Sequence, residues 1–127
     1  MVFTFRSPTL SGHISEEECI LFDMIRTLGL QLPLLAAIDR DFYDSPVIPR
    51  DKVAALREEA LVALRAFQGS QGSRPDAFER VWQARPPGFR ETAATLRPFD
   101  PERCLGSLVA VCDDALIQGA AIECLSD

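Results

Sequence analysis

The sequence predicts a mainly α-helical single domain, residues 1–127, of about five helices, to which the N- and C-terminal segments can add a small β-ribbon. Three observations carry this prediction. Apolar residues recur at helical spacing between clear start and stop signals. Prolines fall at the ends of those stretches rather than inside them, and Gly29 and Gly119 stand just past the ends of two. The composition, 47% hydrophobic and 25% charged over 127 residues, is that of an ordinary globular chain. Such a chain buries roughly two thirds of its unfolded surface and folds without a disulfide or metal staple.

Residues 2 to 5 are β-prone, alternate aromatic with smaller residues and stop at Ser7-Pro8, so they read as a short strand. Ser15-Glu16-Glu17-Glu18 has the form of a capping box and starts a first helix. Leu21, Phe22, Met24, Ile25 and Leu28 supply its apolar stripe, and Gly29 suits a left-handed C-cap. A short buried helix begins near Pro33 and delivers the chain into Asp39-Arg40-Asp41-Phe42-Tyr43-Asp44. The prolines of Ser45-Pro46-Val47-Ile48-Pro49 interrupt helical geometry. A strong helix then runs from about Pro49 or Arg50 to Phe67, with Val53, Leu56, Ala60, Leu64 and Phe67 on one face and Arg57, Glu58, Glu59 and Arg65 off it. After a Gly/Ser-rich loop, Pro75-Asp76 opens a helix carrying Phe78, Val81 and Trp82, and a short helix follows over about 90 to 96. Asp100-Pro101-Glu102 supplies an N-cap, a first-turn proline and a first-turn acid for a helix reaching Gln118 before Gly119. Its first half is apolar nearly all round and belongs at the centre of the core, and residues 121 to 125 can form a terminal strand paired with residues 2 to 5.

The net charge of −6 arises from nineteen acids against thirteen basic residues, all but Lys52 arginines and scattered singly. Nucleic-acid binding shows a clustered basic stripe, so a nucleic-acid role is not expected. An acidic domain is instead suited to meet a cationic protein. With no signal peptide and no apolar run of membrane-spanning length, a cytoplasmic protein without membrane attachment is expected, its thiols reduced. Cys19, Cys104, Cys112 and Cys124 stand in apolar surroundings and read as buried small residues.

Chemistry-bearing motifs are sparse. His13, the only histidine, precedes a helix start and reads as a solvated turn residue; it has no second histidine with which to hold a metal. The rival catalytic reading pairs His13 with a cysteine thiol as base and nucleophile. The spacing Asp39-x-Asp41-x-x-Asp44 departs from the calcium loop, because Tyr43 and Asp44 stand where the third ligand and the glycine belong. No metal or cofactor is therefore expected. Three carboxylates and two aromatic rings in six residues fit an interface anchor facing arginine or lysine: Asp39, Asp41, Phe42, Tyr43 and Asp44 are the candidate partner-binding residues. The bland alternative is an N-cap and turn cluster with Phe42 folded inward. Asp113-Asp114 reads as a solvated helix face, or with Glu123 and Asp127 as a second acidic patch.

Two stretches carry a family likeness. Phe42 to Leu61 has an acidic aromatic loop, an Ile-Pro step and a Leu/Glu-rich helix, and Leu105 to Asp127 has an apolar helix, a glycine and a terminal strand. Together they resemble small immunity proteins of bacterial polymorphic-toxin and secretion-system competition loci. The resemblance implies a compact cytoplasmic, non-enzymatic domain that binds a cognate basic toxin and occludes its active surface. Alternatives of other classes are a small enzyme or ligand-binding domain using His13 and a thiol, and a structural subunit that self-associates through the apolar 30 to 38 segment.

Overall fold

The computed structural model describes residues 2–15, 20–41, 44–69 and 101–126. Within them four strands, β1 (Val2–Arg6), β2 (Ser11–Ser15), β3 (Val47–Ile48) and β4 (Ile122–Ser126), form one antiparallel sheet of order β2-β1-β4-β3. The helices are α1 (Ile20–Thr27), α2 (Pro33–Asp41), α3 (Val53–Gly69, entered through a 3₁₀ turn at Arg50–Lys52) and α4 (Pro101–Gln118). This corrects the mainly helical expectation: the described residues hold fewer than five helices and pack them on a four-stranded sheet. The terminal segments do pair, with Phe5 opposite Cys124, but as the central pair of that sheet and not as a separate ribbon. The helices expected over 75 to 85 and 90 to 96, with Phe78 and Trp82, lie outside the described residues.

Two strands escaped sequence reading for a physical reason. Ser-Gly-His-Ile-Ser lacks the run of branched and aromatic residues that marks a strand, and Val47–Ile48 is two residues between prolines. Each exists because a neighbour offers a ladder, which is a tertiary matter.

One sheet face is apolar and the other wet. Phe3 and Phe5 on β1, Ile14 on β2, Ile48 on β3, and Ile122 and Cys124 on β4 are buried against the helices. The intervening Arg6, Ser11, His13, Val47 and Glu123 are exposed. This period-two alternation is the pattern of an antiparallel sheet covered on one side. The covering element is α4, whose Cys104, Leu105, Leu108, Val111, Cys112 and Ala115 recur at helical spacing and are buried. It packs against β2, β1 and β4 and along α3, whose Val53, Leu56, Ala60, Ala63 and Phe67 complete the layer.

Ser15, expected as the N-cap of the first helix, is instead the last residue of β2, and residues 16 to 19 lie outside the described residues; the glycine C-caps do follow their sequence signals. Gly29 (φ 75°) and Gly119 (φ 63°) hold left-handed conformations, where a Cβ would be strained. Gly29 N–H donates to Arg26 C=O and Leu30 N–H to Ile25 C=O; Gly119 N–H donates to Leu116 C=O and Ala120 N–H to Ala115 C=O. Both are Schellman caps, and the second turns α4 into β4. The start of α2 is capped from a distance. The Glu59 carboxylate of α3 accepts from Leu34 N–H at 2.9 Å and from Leu35 N–H at 3.1 Å, which satisfies orphan donors at the positive end of α2.

Candidate partner-binding surface

The acidic segment leaves the C-terminal end of α2. Asp39 accepts from Arg26 Nη1 at 2.8 Å, which ties α2 to α1. Asp41 is gripped by its neighbour: Arg40 Nε and Nη2 donate to its two oxygens at 3.0 and 2.9 Å. That hydrogen bonding, aided by the positive charge, holds the Asp41 carboxyl below the usual carboxylate range. Phe42 and Tyr43 lie outside the described residues. Asp44 is exposed, and Ser45 after it holds φ 49°, the only non-glycine residue in the left-handed region among those described. Pro46 then fixes the exit, its carbonyl accepting from Cys124 N–H at 2.9 Å.

The structure thus places Asp39 and Asp41 in the last turn of α2 and Asp44 on the chain that leads into β3. It also shows that Asp39 and Asp41 are ion-paired, so the local potential is less negative than three carboxylates suggest. Both pairs are solvent-exposed, with the Arg26 and Arg40 side chains 59% and 74% accessible. Such pairs are weak and can be exchanged for an incoming cation. Arg26 as a partner of Asp39 is invisible in sequence, since thirteen residues separate them; Arg40 stands between the acids and was the available signal.

The second acidic patch does not form as a free surface. Asp113 accepts from Arg57 Nε of α3, and Glu123 accepts from Arg6 on the adjacent strand. Asp114 fastens the turn between β1 and β2. It accepts from Ser7 Oγ at 2.6 Å, Thr9 Oγ1 at 2.6 Å and Thr9 N–H at 3.0 Å, bonds that hold its carboxyl below the usual range. These acids are structural ties between elements distant in sequence, a role that spacing could not reveal. Asp127 lies outside the described residues.

His13 is not a turn residue. It sits on β2 on the exposed sheet face, with Nδ1 3.1 Å from Thr4 Oγ1. Cys104, Cys112 and Cys124 are buried on the opposite side of the sheet, and burial pushes the Cys112 and Cys124 thiols up to about 12. These three thiols and the imidazole therefore do not meet; Cys19 lies outside the described residues. Among the described residues there is no group of three or more His, Cys, Asp or Glu side chains arranged to hold a metal ion, and no helix long and apolar enough to cross a membrane. No family model matches the chain, and searches of curated proteins and of solved structures return no significant match.

Proposed function

We propose that this protein is a non-enzymatic, cytoplasmic protein-binding domain that acts as an immunity protein, neutralising a cognate basic toxin by covering its active surface. The observation that supports this reading most directly is how the acidic segment is presented. Asp39 and Asp41 stand in the last turn of a helix whose start is held by Glu59, and Asp44 lies exposed three residues beyond its end. Carboxylates carried on a helix already formed before binding lose little conformational entropy on docking, so more of their interaction energy appears as affinity. Asp39, Asp41 and Asp44 supply carboxylates for arginine or lysine of the partner, which displaces Arg26 and Arg40 from their exposed pairs. Phe42 and Tyr43, between them in sequence, supply the aromatic anchor. The net charge of −6 favours encounter with a cationic surface.

The test is titration calorimetry of the purified protein against the proteins encoded by its flanking genes. A complex with a basic partner is expected, weakened by salt and weakened at least about tenfold by the triple substitution Asp39→Asn, Asp41→Asn, Asp44→Asn. Absence of any complex with those partners, or a complex indifferent to the triple substitution, overturns the proposal.

A further inference from the structure

The two edges of the sheet are built differently, and two backbone hydrogen bonds define how. Ser7 N–H donates to Leu10 C=O at 2.9 Å, so residues 7 and 10 face each other as a hydrogen-bonded pair. Alternation along an antiparallel ladder then makes Phe5–Gly12 and Phe3–Ile14 hydrogen-bonded pairs as well. The backbone groups of Ser11, His13 and Ser15 consequently point away from β1, out of the sheet. At the other edge, the bond from Cys124 N–H to Pro46 C=O sets the alternation so that Val47 alone points outward from β3. That edge is two residues long and bracketed by Pro46 and Pro49. Among the described residues, no strand pairs with the outer side of β2.

Among the described residues β2 therefore offers a row of three donors and three acceptors, and its own sequence carries none of the residues that guard an edge. Ser-Gly-His-Ile-Ser contains no proline, lysine, arginine or acid, whereas short strands, prolines and charges are the usual protection. We propose that this edge is a homodimer interface, in which β2 pairs antiparallel with β2 of a second copy about a two-fold axis through His13. The occupant follows from self-complementarity. In that register His13 faces its own counterpart, Ser11 faces Ser15 and Gly12 faces Ile14, so every outward donor meets an acceptor. The alternation of faces is also preserved: Gly12 and Ile14, buried toward the helices here, stay on the helix side in both copies, while Ser11 and His13 stay on the wet side. The strand has no acidic residue, so two copies of a chain with net charge −6 can meet along it without opposing carboxylates. A strand without acids offers nothing to the basic partner proposed for residues 39 to 44, which makes this surface independent of that one. The two four-stranded sheets become one continuous sheet across the dimer.

Sedimentation velocity of the full chain over a concentration series tests the proposal. The unsubstituted protein is expected to pass from monomer to dimer as concentration rises. His13→Pro removes an outward donor that the β1 ladder does not use, and His13→Lys sets two ammonium groups face to face. Each is expected to weaken dimerisation at least about tenfold with the circular dichroism spectrum unchanged; the lysine variant serves should proline disturb the strand. In a third arm, His13→Cys is expected to cross-link under mild oxidation, because directly opposed residues in a hydrogen-bonded pair lie about 5.5 Å apart at Cα, within disulfide reach. Thr4→Cys, one strand inward on the same face, is expected not to. A monomer at every concentration overturns the proposal and leaves the edge to a strand of another protein; a dimer unaffected by both His13 substitutions and not cross-linked by His13→Cys overturns it equally.

Discussion

Ser45 and Asp114 show how single residues carry geometry in this molecule. Ser45 holds φ 49°, a region that costs an L-residue roughly 1–2 kcal/mol and a β-branched one more. Ser45→Gly is therefore expected to be tolerated, whereas Ser45→Val is expected to lower unfolding free energy by about 1 kcal/mol or more in chemical denaturation. The Ser-Pro step pointed to extended geometry at Ser45, because proline biases its predecessor that way, and the left-handed backbone found there departs from that bias. Asp114 carries a pH-dependent contribution. Its folded-state carboxyl is held low by Ser7 and Thr9, so the stabilisation is fully present above the unfolded value and is lost as pH falls through the folded one. Thermal melts of Asp114→Asn are expected to lie below those of the unsubstituted protein near neutrality, and the two curves are expected to converge as pH drops below about 4. In the sequence Asp114 was one of two acids on a helix; its partners lie more than a hundred residues away.

At the scale of elements, most helix limits were legible because they are set by local chemistry. Gly29 and Gly119 cap α1 and α4, and Pro101 and Glu102 sit in the first turn of α4 as first-turn preferences predict. The start of α2 was legible from Pro33, but its cap was not, because Glu59 reaches it from another helix. Glu59→Ala is expected to cost about 0.5–2 kcal/mol, the range for loss of an N-cap, and Glu59→Gln less, since an amide oxygen still accepts. Comparing urea midpoints of the two variants checks the order. The same substitution is expected to loosen the helix that carries Asp39 and Asp41, so the calorimetric affinity proposed for those carboxylates should fall with it. Strands were the least legible elements. β2 has one apolar side chain that faces inward, Ile14, and a glycine beside it, too little alternation to outweigh the turn-forming character of its serines.

In the molecule as a whole, α4 is the central member, pressed between the sheet and α3, and the buried thiols report on its integrity. Cys104, Cys112 and Cys124 are expected to resist an aromatic disulfide reagent in the native state and to react only as fast as the domain unfolds, since burial holds Cys112 and Cys124 at about 12. Leu105→Ala is expected to destabilise by about 2–5 kcal/mol and to accelerate that labelling in proportion; fast labelling of these three thiols without unfolding would contradict the packing described here. The sequence by itself determined the apolar faces of α1, α3 and α4, the glycine caps that end α1 and α4, the burial of Cys104 and Cys112 and the strand character of both termini, because periodicity, turn chemistry and hydrophobicity act over a few residues. Tertiary structure alone decided that β2 and β3 are strands, that the termini lie at the middle of a four-stranded sheet, and that Asp39, Asp113, Asp114 and Glu123 are tied to distant partners. Ladder pairing and ion pairing join residues by their positions in space, and those positions exist only once the chain has folded.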